Sequence, residues 1–271
     1  MIMKYKRTEE QGFEALKKMV LKRLGLDCNY YRDSYLRRRI NLRMKNYGLN
    51  SYWDYMRLLR NNEDEWPLLI KDLTVNYTSF FRDLDVFFYF KTRILPTLLN
   101  NKRIIRILSA GCSSGEEPYT ISMVINDVLK SGINKYLISI YAIDIDDYAL
   151  KKAIIGEYEE RTVAKISRTY LQRYFTKING KYKINQCVRR LVHFKNMDLT
   201  QGIKYRNLDV IFCRNTFIYF SMEAQNKICM DFYEALNCNG YLIIGKTEIL
   251  PEKVADKFVC IDNERRVFQK I

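Results

Sequence analysis

The residues best equipped for chemistry stand around a small-residue turn. In the run Ile104 to Met123, Ile105, Ile107 and Leu108 read as a covered parallel strand and Gly111-Cys-Ser-Ser-Gly115 as a tight turn. A helix starts at about Glu117, with Pro118 near its first turn, where a missing N–H costs little. Gly111 and Gly115 let the backbone approach a nucleotide-like ligand. A phosphate-cradling loop places a Lys after its last glycine, but here Glu116 and Glu117 follow Gly115. Two carboxylates at a helix N-terminus suit the helix dipole and repel a pyrophosphate, so a ligand carrying positive charge is expected. S-adenosylmethionine, with a sulfonium and an ammonium, meets that requirement.

The second strand ends in Tyr141-Ala-Ile-Asp-Ile-Asp146. A carboxylate at such a strand tip can accept from both ribose hydroxyls, and Asp144 is the candidate; the competing role for an acid here is a helix N-cap, which Asp146 or Asp147 can fill. Asp144 follows Gly111 by more than the roughly 20 residues of a dinucleotide fingerprint, which speaks against nicotinamide. A further strand runs into Asp209-Val-Ile-Phe-Cys-Arg-Asn-Thr-Phe-Ile-Tyr-Phe220 and delivers Arg214, Asn215 and Tyr219 at its carboxyl end, the ligand side of an open α/β sheet. Tyr219 alone reads as a core aromatic, and the company of Arg214 and Asn215 gives it a site role. The Asn/Asp-Pro-Pro-aromatic turn used to methylate exocyclic base nitrogens is missing. His193 is the only histidine, and the seven cysteines contain no C-x-x-C pair, so neither a zinc site nor a histidine-based nucleophile is expected. No metal is called for.

These groups need a scaffold, and the 271 residues, 48% of them apolar, suffice for one large α/β domain plus a small accessory unit. Strand candidates at 104–109, 137–143, 191–194, 208–212, 240–245 and 266–270 alternate with helices near 117–129, 147–154 and 222–236, the pattern of a doubly wound sheet. Short strands flanking Asn179-Gly180 read as a hairpin inserted at the sheet edge. Residues 1–72 read as helical, with apolar spacing over 12–24, 33–47 and 51–59, Ser51 as an N-cap and Gly48 as a stop. The middle helix sets Arg37, Arg38, Arg39, Arg43 and Lys45 beside the apolar row Leu36, Ile40 and Met44. Its basic face is either a solvated surface or a dock for an acidic helix or polyanion. The net charge of +15 leaves a compositional origin, an acidic partner and nucleic acid all open. The N-terminus has no apolar core of signal-peptide length, and no stretch approaches the roughly 18 apolar residues of a membrane span, so a cytoplasmic protein without membrane insertion is expected.

Several uncommon blocks occur in a fixed order: Thr74-Val-Asn-Tyr-Thr-Ser-Phe-Phe-Arg82, Leu108 to Tyr119, Asp144-Ile-Asp146, Gly156 with Tyr158, Phe212-Cys-Arg-Asn215 with Ile218-Tyr-Phe220, and Gly240 to Glu248. Together they resemble the CheR-type chemotaxis glutamate O-methyltransferases over almost the whole chain. The resemblance implies an N-terminal helical domain over 1–72 and a Rossmann-like methyltransferase domain over 73–271, with an antiparallel β-subdomain inserted at about 168–194. It implies that Asn76, Thr78, Arg82, Glu117, Asp144, Cys213 and Arg214 line an S-adenosylmethionine site, joined by Gly111 of the turn and by Asp198-Leu199 near the adenosine. Arg82 and Tyr219 would sit beside the transferring methyl, and Arg38, Arg39 and Arg43 would dock the substrate. Family members commonly have Asn-Leu where this chain has Asp198-Leu199; an Asp accepts a hydrogen bond there and does not donate one.

The implied reaction esterifies glutamate carboxylates in the cytoplasmic helical region of methyl-accepting chemoreceptors and yields S-adenosylhomocysteine, with the enzyme a monomer and nucleic acid not a partner. A carboxylate of pKa about 4.3 is ionised at pH 7 and needs no general base, consistent with a site lacking histidine. A nucleic-acid methyltransferase is favoured by net charge and opposed by the missing prolines and the acidic helix start. A non-catalytic S-adenosylmethionine-binding adaptor is opposed by the retention of both Arg82 and Tyr219.

Overall fold

Thr8 opens the first helix: its hydroxyl accepts from the Gln11 N–H at 3.2 Å while the Gln11 side chain accepts from the Thr8 N–H at 3.0 Å. This reciprocal cap satisfies donors that the helix itself leaves over. The structure is a computed structural model and describes residues 8–74 and 76–271. Four helices follow one another: α1 (Glu9–Leu24), α2 (Asp33–Asn46), α3 (Tyr52–Asn61) and α4 (Glu65–Leu73). Ser51 caps α3 by accepting from the Trp53 N–H at 3.3 Å, and Gly48 takes a φ of +65° just past α2, as their residue types predict. The row Leu36, Ile40 and Met44 is buried, in company with Phe13, Leu16, Val20, Leu59 and Leu69. Each such side chain contributes about 1.5–3 kcal/mol of burial free energy. Spacing alone does not single out α4, a short helix with Pro67 in its first turn.

The chain forms two units, one of residues up to 75 with Tyr219–Gln225, the other of Asn76–Ile218 with Asn226–Ile271. The sequence expectation runs a single methyltransferase segment from 73 to the end, whereas Tyr219–Gln225 joins the helical unit through backbone pairing. The Arg32 N–H donates to the Tyr219 carbonyl at 3.0 Å, the Ser221 N–H donates to the Tyr30 carbonyl at 2.8 Å, and Tyr31 bridges Phe220. Such long-range backbone pairing leaves no periodic trace in sequence.

The second unit carries β1 (Ile104–Ala110), β2 (Leu137–Asp144), β3 (Glu157–Tyr158), β4 (Phe175–Ile178), β5 (Lys181–Ile184), β6 (Val192–Asn196), β7 (Leu208–Cys213), β8 (Leu236–Ile244), β9 (Phe258–Asp262) and β10 (Val267–Lys270). Seven strands form one sheet in the order β6-β2-β1-β7-β8-β10-β9, parallel from β6 to β8 and antiparallel at β10. All six residues of β7 are buried, as a central parallel strand covered on both faces requires. Strand β9 escapes sequence detection because it is an edge strand whose Val259 and Ile261 are exposed, so its pattern does not alternate with burial. A separate sheet has the order β3-β5-β4, with Asn179 and Gly180 at φ +49° and +79° in the turn between β4 and β5, the geometry an Asn-Gly hairpin favours. Its third strand, β3, lies before the expected insert boundary at 168. Among the described residues no helix is long and apolar enough to cross a membrane, and no cluster of three metal-ligating side chains occurs.

Candidate active site

The strand order reverses between β1 and β7, which places a crevice at their carboxyl ends. Gly111 and Gly115 bracket the turn after β1 with φ of +77° and +93°. A Cβ on Gly111 would lie 2.6 Å from Thr216 Oγ1, and one on Gly115 would lie 2.9 Å from Ala153 Cβ, so both positions require the absence of a side chain. The two acids that follow diverge. Glu116 is buried against Ser114, whose Oγ donates to its carboxylate at 2.8 and 3.0 Å. Glu117 instead accepts from Ser109 Oγ at 2.8 Å and from Arg214 Nη1 at 3.2 Å. Burial pushes the Glu117 carboxyl above its ordinary range, with the Arg214 charge and the Ser109 hydrogen bond opposing it.

At the tip of β2, Asp144 accepts from the Ser113 N–H at 2.7 Å and from the Asp146 N–H at 2.9 Å. Burial raises its pKa to about 6, against those backbone donors and with the help of the neighbouring Asp146 carboxylate. Asp146 fills the N-cap of the Asp147–Ile155 helix, accepting from the N–H groups of Tyr148 and Ala149 at 2.8 and 3.1 Å. Its other oxygen accepts from Asn76 Nδ2 at 2.5 Å, and Asn76 Oδ1 accepts from Ser113 Oγ at 3.2 Å. Asn76 thus ties the turn after β1 to the turn after β2. Thr78 is half-buried in the same stretch.

Arg214, at the end of β7, has a side chain only 1% exposed. Besides Glu117 it donates through Nη2 to the Arg82 carbonyl at 2.8 Å and to Asp83 at 2.5 Å. Its guanidinium therefore fixes the backbone at Arg82, whose own Nη1 donates to the Tyr77 carbonyl at 3.0 Å. Arg82 is half-buried, and its charge acts on the Glu117 carboxyl. Cys213 is wholly buried on β7 and burial pushes its thiol well up, so it contributes shape and backbone but no thiolate. After β6, Asp198 Oδ1 accepts from the Thr200 N–H and Oγ1, each at 2.8 Å, and Leu199 is buried. The Met197 N–H donates to the Asp144 carbonyl at 3.0 Å and holds this segment beside the tip of β2.

These groups suit S-adenosylmethionine. Asp198 Oδ2 is a buried acceptor with no hydrogen-bond partner among the described residues, matched to a ligand N–H donor, and the missing donor capacity of an Asn at 198 leaves that acceptor role intact. The carboxylates of Glu117 and Asp144 are acceptors of the kind that an ammonium and ribose hydroxyls require.

The four remaining residues singled out from sequence belong to the helical unit. Tyr219 is half-buried with its ring 4.9 Å from that of Tyr35. Arg38 is exposed, and Arg39 is half-buried with its guanidinium 5.7 Å from the centre of the Tyr35 ring. Arg43 departs from the docking role: it donates through Nε and Nη2 to Glu65 at 2.9 and 2.5 Å and also pairs with Asp72. Glu65 is fully buried and accepts in addition from Tyr47 and Tyr55, each at 2.7 Å. Burial alone would raise its carboxyl, yet Arg43 and the two phenols hold it below the usual range. Arg43 neutralises a buried acid and is not a free surface cation. Arg37 is likewise engaged, its Nη2 donating to both carboxylate oxygens of Glu10 at 2.6 and 2.7 Å.

Sequence reasoning missed Ser109, Ser113, Asp83 and Glu248. Ser113 sits inside the glycine turn at φ +48° and Asp83 follows Arg82 at φ +56°; for both the only signal is adjacency to a recognised block. Glu248 closes such a block, with no cue to its role.

A family model described as the CheR methyltransferase SAM-binding domain matches residues 76–267, and one described as the CheR methyltransferase all-alpha domain matches residues 11–74. The chemotaxis protein methyltransferase of Listeria monocytogenes is 30% identical over 240 residues, covering 88% of this chain and 90% of that protein. Chemotaxis protein methyltransferase 1 of Pseudomonas aeruginosa is 32% identical over 248 residues, covering 88% and 90%. An uncharacterized 104.1 kDa protein of Rhodobacter capsulatus is 30% identical over 264 residues, which make up 95% of this chain but only 28% of that larger protein. With a helical domain and a methyltransferase domain matched in order, and a crevice whose acids suit a cationic methyl donor, the chain belongs to the CheR methyltransferase family and carries its S-adenosylmethionine-binding domain.

Proposed function

We propose that this protein methylates glutamate side chains in the cytoplasmic helical region of methyl-accepting chemoreceptors, yielding glutamate methyl esters and S-adenosylhomocysteine. The observation that carries the reading is Arg82, a half-buried cation beside Glu117, with its backbone held by the buried Arg214. Support comes also from relatives named chemotaxis protein methyltransferases.

The cofactor supplies an electrophilic methyl group on a positively charged sulfur. Asn76, Thr78, Gly111, Glu117, Asp144, Asp198, Leu199, Cys213 and Arg214 are proposed to hold it, Asp144 toward the ribose and Asp198 Oδ2 toward a base N–H. The substrate carboxylate arrives ionised, so the chain needs no base to activate it; His193 lies exposed on β6, away from the strand tips. Arg82 is proposed to align the carboxylate. A firm grip would stabilise the ground state, so alignment and exclusion of water are where the residues contribute. The exposed Arg38 and the half-buried Arg39 are proposed to meet the acidic receptor helix.

Methyl-labelled S-adenosylmethionine offered to a purified receptor cytoplasmic fragment tests the reading. Label is expected in the fragment and is expected to vanish when its surface glutamates are replaced by Ala; equal labelling of the two, or labelling of RNA or DNA instead, would overturn it.

A further inference from the structure

A further buried carboxylate stands at the carboxyl end of the sheet and, among the described residues, is held by backbone N–H groups outside the residues assigned to the ligand. Glu248 is 3% exposed and, among the described residues, has no ion-pair partner. It is instead ringed by backbone donors. Oε2 accepts from the N–H groups of Gly245 at 2.6 Å and Asn215 at 2.9 Å, and Oε1 accepts from that of Phe217 at 2.8 Å. The Glu248 N–H in turn donates to the Gly245 carbonyl at 2.8 Å, closing a tight turn after β8. The approach leaves no slack. A Cβ on Gly245 would fall 2.7 Å from Glu248 Oε2 and 2.8 Å from the Asn215 nitrogen.

We infer that Glu248 is a positioning residue: it pins the segment after β7 and so aims Arg214 at Glu117 and at the Arg82 carbonyl. Asn215 follows Arg214 directly and has a φ of +60°, a left-handed conformation that costs a non-glycine residue free energy unless its surroundings hold it. The carboxylate does so by binding the N–H of Asn215 itself and that of Phe217 two residues on. Charge-assisted bonds to backbone N–H are about twice as strong as neutral ones, and three of them converge here. The role rests on the proposed methyl transfer only for its kinetic consequence.

The strand supplies its own control. Asp209, at the opposite end of β7, is also a buried carboxylate; it is 2% exposed and accepts from the Arg106 N–H at 2.9 Å, from Asn237 at 2.8 Å and from Lys102. Glu248→Gln sets an NH2 against N–H donors and Asp209→Asn does the same far from the crevice, so both are expected to lower Tm. Hydrogen exchange at the Asn215 and Phe217 amides is expected to quicken at least tenfold in Glu248→Gln and to stay at the wild-type rate in Asp209→Asn. Receptor methylation at saturating substrates is expected to drop at least tenfold in the first variant and less than twofold in the second, with Glu248→Asp intermediate. Unchanged exchange in Glu248→Gln, or an equal loss of turnover in the two variants, would overturn the inference. If even the wild type methylates no receptor, the exchange rates still decide the role of Glu248, so the two readings fail separately.

Discussion

Asp144 carries the sharpest consequence at the scale of single residues. Ribose hydroxyls donate more strongly to an ionised carboxylate than to a protonated one, and burial has moved this carboxyl from 3.8 to about 6. Affinity for S-adenosylhomocysteine is therefore expected to fall as pH drops through about 6, and Asp144→Asn to bind more weakly with a flatter profile; calorimetric titration across that range checks both. An unflattened profile would assign the fall to Glu117, whose carboxyl burial also raises. Folding stability carries the opposite sign. A carboxyl with a raised folded pKa binds its proton more tightly when folded, so its contribution is full below 3.8 and is lost as pH rises through about 6. At Tyr219, removal of the hydroxyl in Tyr219→Phe is expected to lower turnover about tenfold or more with cofactor affinity unchanged, measured as single-turnover methylation beside calorimetry. Unchanged turnover would return Tyr219 to a packing role against Tyr35.

At the scale of elements, α2 separates what a sequence displays from what it hides. Its buried row was legible because Leu36, Ile40 and Met44 recur every four residues on one face. The fate of its arginines was not, because Arg43 finds Glu65 on a different helix 22 residues away, and pairing across helices has no period. The consequences diverge. Breaking a buried pair by removing one charge costs about 3–5 kcal/mol, so Glu65→Gln is expected to lower the thermal midpoint of the helical domain by several degrees. Held below its ordinary range by Arg43 and two tyrosines, Glu65 adds stability that is present above 4.5 and lost as pH falls below it. By contrast, Arg38→Glu is expected to leave stability within about 0.5 kcal/mol while raising KM for receptor severalfold at low salt; an unchanged KM would make this face merely solvated. The methyltransferase unit shows the same division. The turn after β1 and the acid at the tip of β2 were readable from types and spacing, whereas Asp83 and Glu248 act through contacts 131 and 31 to 33 residues away along the chain.

For the whole molecule, the order of helical domain, methyltransferase sheet and small β-sheet followed from element alternation and from blocks of uncommon residues. The return of Tyr219–Gln225 to the helical unit did not, since it depends on backbone pairing with Tyr30, Tyr31 and Arg32. The excess of 46 basic over 31 acidic residues is compatible with nucleic acid or with an acidic protein surface, and only the chemical nature of the product separates them. A glutamate methyl ester is hydrolysed by mild alkali, and a methylated base or ribose is not. The decisive measurement is therefore incubation with methyl-labelled S-adenosylmethionine and receptor-containing membranes, followed by alkali and collection of volatile label. Release of labelled methanol, abolished in Arg82→Ala, is the expected result; label that stays non-volatile after alkali would contradict ester formation at a receptor glutamate.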